Sequence, residues 1–198
     1  MSSTLHIERL TGPQAAPWLN ELARLRISVF HAYPYLYDGD PAYEENYLAT
    51  YTASPKSVVV LVRDGDRIVG ASTALPLAHE PENVIRPLRQ HGYDPARVFY
   101  LGESVLLPEY RGQGLGVRFF QEREAHARSL GGFTHATFCA VYRPKDDPRR
   151  PSDYTPLDEF WKKRGYRKQP SLTTLFSWKD LDQPRESEKT MVFWVKSL

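Results

Sequence analysis

A single cysteine, Cys139, occurs in the 198 residues, so no internal disulfide can form and the chain suits a reducing compartment. The opening MSSTLHIERL has no basic region followed by an apolar run, which speaks against a signal peptide. No stretch is apolar for the length of a membrane span. A cytoplasmic protein without a membrane partner is therefore expected. Charge of one sign is also lacking: 26 Lys and Arg face 24 Asp and Glu, a net +2, too mild to imply nucleic acid or an anionic surface as partner. The six histidines show no H-E-x-x-H spacing, and no metal is predicted. Repeats and linkers are missing too, so residues 1–198 read as one domain. With 41% hydrophobic and 13% aromatic residues, the chain can bury a core rather than stay disordered. A monomer or homodimer fits this size.

Apolar periodicity gives the order of elements. Leu5 to Leu10 alternates as a short strand. Trp18, Leu22, Leu25 and Val29 recur at helical spacing, and Tyr33-Pro34 ends that helix. The loop Tyr33 to Pro41 carries Tyr33, Tyr35 and Tyr37, which either pack down as a lid or line a recess for substrate. Asp40-Pro41 caps a second helix with Tyr43, Tyr47 and Tyr51 on one stripe. Val58 to Val62 and Arg67 to Leu77 form a hairpin about Asp64-Gly65-Asp66. Residues 79–95 are polar, with a weak helical pattern at Val84, Ile85 and Leu88. Val98 to Leu107 is a central strand, and the segment after Gly116, as far as Leu130, a helix whose Glu122, Glu124 and Arg128 can face water. His135 to Val141, Ser171 to Trp178 and Met191 to Lys196 read as further strands. A proline-rich charged loop, Tyr142 to Pro156, and a helix through Phe160 and Trp161 lie between. The pattern is α/β.

Between the central strand and its helix stands Pro108-Glu109-Tyr110-Arg111-Gly112-Gln113-Gly114-Leu115-Gly116. A helix start has unpaired N–H groups and the positive end of the dipole, and glycines let an anion approach them. The stretch is an anion cradle, best suited to a phosphate. Its glycines at 112, 114 and 116 miss the G-x-G-x-x-G spacing, and Gly-Lys-Ser/Thr is absent, which excludes the dinucleotide fingerprint and the P-loop.

R-x-x-G-x-G after a strand and a Pro-Glu-Tyr turn resembles the GNAT N-acetyltransferase superfamily. Phe160-Trp161-Lys162-Lys163-Arg164-Gly165-Tyr166 is similar to that family's late helix. The likeness runs from about Leu5 to Trp178. It implies a mixed central sheet flanked by helices, with central strands splayed around an acyl-CoA cleft. It implies acetyl-CoA as co-substrate, with the main chain of Leu106 and Leu107 on pantetheine. The amides of Arg111, Gly112, Gln113, Gly114, Leu115 and Gly116 would hold the pyrophosphate. Two departures stand out. The family's Asn after the fifth strand is replaced by the proline-rich loop, and Trp161 occupies the position of its acidic Tyr.

Acyl transfer to an amine needs a base for the amine proton and a donor for the oxyanion. The resemblance assigns the donor to the N–H of Leu106 or Leu107. Glu103 is the candidate base, because a carboxylate on an apolar strand is costly unless used or paired. Pairing with an arginine would serve the same need. Tyr154, Tyr142 and Tyr100 are candidates for the acid, Tyr154 first. Tyr142 and Arg143 join the tyrosine loop as candidate substrate contacts, since a guanidinium can grip a carboxylate or phosphate. The acceptor is expected to be the amine of an amino-acid-like molecule or of a protein. The other reading is a non-catalytic acyl-CoA-binding sensor.

Overall fold

The computed structural model describes residues 5–198. Strands β1 (Leu5–Thr11), β2 (Val58–Asp64), β3 (Arg67–Pro76), β4 (Val98–Leu106), β5 (His135–Val141), β6 (Arg167–Trp178) and β7 (Ser187–Ser197) form one seven-stranded sheet in the order β1-β2-β3-β4-β5-β7-β6. Every neighbouring pair is antiparallel except β4 and β5. The helices are α1 (Leu19–Phe30), α2 (Pro41–Ala53), α3 (Glu82–Gln90), α4 (Leu115–Leu130) and the short α5 (Asp158–Lys162).

Two contacts fix the layers. Ser104 Oγ accepts a hydrogen bond from Arg123 of α4, whereas its neighbour Glu103 pairs with Arg26 of α1. Successive strand residues project to opposite faces, so α4 covers one face of the sheet and α1 with α2 the other. Val58 to Val62 is consequently buried throughout, as a strand covered on both sides must be.

Several boundaries differ from the sequence reading. A 3-10 turn, Gly12–Trp18, precedes α1, so Trp18 caps the helix rather than starting it. The weak pattern after residue 79 is realised as α3, with Pro87 inside it. Both closing strands begin earlier than their apolar runs, because the β6–β7 ladder continues through polar residues at the sheet edge. Glu124 does not face water. It is buried, receiving the Tyr166 hydroxyl at 2.9 Å and the Lys196 ammonium at 2.7 Å, which ties α4 to the last strands.

Candidate active site

The site begins where β4 and β5 separate. They pair in parallel only from Val98↔His135 to Tyr100↔Thr137, although each strand runs on. The cause lies on the other side of β4. Between Ser72↔Ser104 and Ala74↔Leu101, Thr73 alone faces Gly102 and Glu103. This is a β-bulge, which bends the strand and breaks its ladder. The bulge leaves carbonyls without strand partners, and Arg123 supplies them. Its Nη1 donates to Thr73 O at 3.2 Å and Glu103 O at 3.0 Å. Burial lowers the Arg123 pKa to about 10, against the pull of Tyr166 and Glu103. Gly102 is required, since a Cβ there would sit 1.9 Å from the Tyr51 hydroxyl.

Beyond the bulge, backbone direction decides which groups face the gap. Leu107 N–H donates to Val69 O on β3 at 3.0 Å. Main-chain groups alternate sides along a strand, so the N–H of Leu106 points toward the gap instead. Its carbonyl accepts from Arg111 Nε at 3.2 Å. Of the residues expected to serve a ligand through their main chain, Leu107 has its N–H already engaged with β3, and Arg111 donates its own to Pro108 O at 3.1 Å.

A turn at Pro108–Tyr110 then leads into the glycine loop, where Gly112 and Gly114 adopt φ of +77° and +80°. Residues 111–114 are exposed. Among the described residues, no carbonyl accepts from the amides of Gly112, Gln113, Gly114, Leu115 or Gly116, whereas Val117 and Arg118 both donate to Gly114 O. Open space lies where a Cβ would stand on Gly112 or Gly114. The loop thus presents a row of free donors at the start of a four-turn helix.

On the opposite face of β4 lies a buried polar cluster. Glu103 Oε2 is ion-paired with Arg26 Nη1 at 2.8 Å and accepts a hydrogen bond from the Tyr47 hydroxyl at 2.8 Å. Its Oε1 has no hydrogen bond among the described residues. Arg26 also pairs through Nε with Glu44, which is wholly buried, and stacks over Tyr47 at 4.1 Å. Burial pulls the Arg26 pKa down, but Glu103, Tyr47 and Glu44 drive it well above its ordinary value. Tyr47 and Tyr51 hydroxyls stand 3.0 Å apart, and Tyr51 reaches Glu80 at 3.5 Å. Burial first, then the charge of Glu103, pushes the Glu80 carboxyl up to about 8.

Arg26 links this cluster to the loops above. It lies over Phe30 at 5.1 Å, and Phe30 packs tilted against Tyr35 at 4.5 Å. The Tyr35 carbonyl accepts from Arg143 Nη2 at 3.0 Å. Past the carboxyl end of β5 is an open cavity of about 730 Å³, lined by Tyr142, Arg143, Asp147, Arg149, Asp180 and Lys189 among others. Arg143 is largely committed to structure here. It donates to Pro34 O and to Tyr35 O and pairs with Asp180 at 3.0 Å. Burial alone would raise the Asp180 carboxyl, yet Arg143 and Arg149 hold it below its usual range.

The tyrosines divide. Tyr37 is buried, bridges Asp180 and accepts from the Asp40 N–H at 3.2 Å. Tyr35 packs between Phe30 and Trp178. Tyr33 meets Tyr154 edge-on at 4.7 Å, and Arg150 covers the latter at 5.1 Å. Tyr142 is 57% exposed at the cavity mouth. Burial, then Tyr33, raises the Tyr154 pKa. Tyr100 instead shares a 3.2 Å contact with Cys139, whose thiol burial pushes up to about 12, far from a nucleophile's range. Trp161 packs 5.1 Å from both Phe138 and Trp194.

Arg26, Glu44, Glu80 and Asp180 were not singled out in the sequence. Arg26 gave a signal: it lies four residues from Leu22 on the apolar stripe of α1. Tyr47 and Tyr51 were visible as a stripe, but not their partners.

The family model for the acetyltransferase (GNAT) family matches residues 22–166, and the chain belongs to that family. Among solved structures, an acetyltransferase from Thermus thermophilus is 19% identical with a TM-score of 0.54, covering 98% of this chain and 97% of its own. One from Streptococcus agalactiae is 16% identical at TM-score 0.61, with full coverage of both chains. A ribosomal-protein-alanine N-acetyltransferase from Brucella melitensis is 13% identical at TM-score 0.61, covering 98% and 99%. At these identities the likeness is one of fold. No curated protein matches the chain.

Proposed function

We propose that this chain transfers an acyl group, acetyl in the first instance, from acetyl-CoA to an amine. The observation that carries this reading is the parting of β4 and β5 beside a row of unaccepted amides from Gly112 to Gly116. Pantetheine would lie in the gap against the Leu106 main chain, and the diphosphate on the amides. The Leu106 N–H faces the gap and would stabilise the oxyanion.

Glu103 is the base in this scheme. Arg26 and Tyr47 hold its Oε2, which leaves Oε1 to take the amine proton. Tyr154, whose hydroxyl has no partner among the described residues, would return a proton to the leaving thiolate. Contacts run from Glu103 through Arg26, Phe30 and Tyr35 to the cavity, so the acceptor enters there, past Tyr142 and Tyr33. The rigid roles of Arg143, Tyr35 and Tyr37 make them the frame of that entrance. An amino-acid-like amine is the first choice of acceptor and a protein amine the second. The protein is read as cytoplasmic; among the described residues no helix is long and apolar enough to cross a membrane.

Release of free thiol from acetyl-CoA, measured across amino acids, polyamines and peptides, tests this. Turnover with at least one amine is expected. Coenzyme binding without turnover for any of them would instead assign an acyl-CoA sensor.

A further inference from the structure

The path from Glu103 to Glu80 contains more oxygen contacts than the two phenols between them have hydrogens. Tyr47 spends its only hydrogen on Glu103 Oε2 at 2.8 Å. The 3.0 Å contact between Tyr47 and Tyr51 must then use the hydrogen of Tyr51. Nothing remains on Tyr51 for the Glu80 oxygen at 3.5 Å. An ionised Glu80 would face a lone pair inside the core, which is costly. Thr73 Oγ1 accepts from the Glu103 N–H at 3.4 Å and lies beside the Tyr51 hydroxyl, but adds no hydrogen to the Tyr47–Tyr51 contact. One more proton is needed at one end of the chain, and because Arg26 beside Glu103 keeps that carboxylate charged, the proton belongs on Glu80.

We infer that Glu80 is a positioning residue that, as the neutral acid, aims the hydrogens of Tyr51 and Tyr47 at Glu103 and so leaves that carboxylate's second oxygen for the substrate. This rests on the acyl-transfer reading for its purpose but not for its geometry. The titratable groups facing Glu80 are Tyr51 and Tyr47 from α2, Glu103 and Tyr100 from β4, and Cys139 from β5. None is cationic, and only a hydrogen bond from Tyr51 would favour its charged form. The upward shift to about 8 agrees with the hydrogen count. Above that pH, Tyr51 turns its hydrogen to Glu80 and the Tyr47–Tyr51 bond is lost.

Infrared difference spectra of the free protein, recorded well below and well above pH 8, test the geometry without substrate. A protonated-carboxyl band should disappear with rising pH in the wild type and in Glu103→Gln, and be missing in Glu80→Gln. Tyr47→Phe frees the Tyr51 hydrogen for Glu80, so its midpoint should fall by about one unit or more. A Glu80 that is merely buried would keep its midpoint in Tyr47→Phe, and that result, or an equal band in Glu80→Gln, overturns the inference. With an active acceptor in hand, the ratio of wild-type to Glu80→Gln kcat/KM cancels the acceptor's own titration. It should fall about three- to tenfold above pH 8, and a flat ratio contradicts the role. Should no amine be turned over, the spectra still decide the state of Glu80, and only the acyl-transfer reading fails.

Discussion

Glu103 holds an ion pair with Arg26 and is the proposed base, and the two roles make different demands. If it served only to pair with Arg26, its amide would do nearly as well for the coenzyme and for catalysis. As the base, Glu103→Gln should lower turnover about 100-fold or more while coenzyme affinity stays the same, which steady-state rates and calorimetry check together. Glu80 has a consequence for stability as well. An unfolded glutamate titrates near 4.5 and this one near 8, so the native state holds the proton through that window. Stability is therefore fullest below about pH 4.5 for this group and declines as pH rises toward 8. Glu80→Gln should abolish that decline, gaining on the order of a few kcal/mol over wild type above pH 8. Urea denaturation across pH measures it; parallel profiles for the two proteins would count against the shift.

The β4 strand and the loop after it illustrate what one element can ask of others. The bulge at Gly102 and Glu103 ends the pairing with β5, and Arg123 takes over the carbonyls that result. Arg123→Met keeps the volume but leaves Thr73 O and Glu103 O unsatisfied, so it should cost about 2–5 kcal/mol in urea denaturation. Gly114→Ala places a Cβ in open space but at φ +80°, a strain of about 1–2 kcal/mol. Its coenzyme affinity should fall while the fold persists. The glycine loop was legible because its meaning is local: spacing, strand before, helix after. The bulge was not, because Gly102 reads as an interruption until Tyr51 and Thr73 are seen against it. Glu80 sat in a polar excursion with no periodicity to mark it. Its partner Tyr51 comes from another helix, and no pattern within either segment joins them.

Across the whole molecule, Arg143 and Asp180 clasp together loops from distant parts of the chain. Arg143 reaches the α1–α2 loop at Pro34 and Tyr35, and the β6–β7 turn at Asp180. Arg143 and the tyrosine loop were expected to contact substrate together, yet Arg143 spends its donors on Pro34 O, Tyr35 O and Asp180. Sequence shows that a guanidinium is present but not which carbonyls, over a hundred residues away, will claim it. Arg143→Ala should loosen the entrance, raising the acceptor KM with little change in coenzyme affinity. The succession of strands and helices along the chain and the family were readable at this scale because both follow from local patterns. What gathers the loops follows only from the assembled sheet.

The central claim is that the free amides between Gly112 and Gly116 grip the coenzyme's diphosphate. Amide hydrogen exchange at those residues, followed by NMR with acetyl-CoA in large excess and without it, tests this most directly. Slowed exchange confined to that row and the Leu106 N–H is the predicted result. Unchanged exchange along the whole loop would contradict the account.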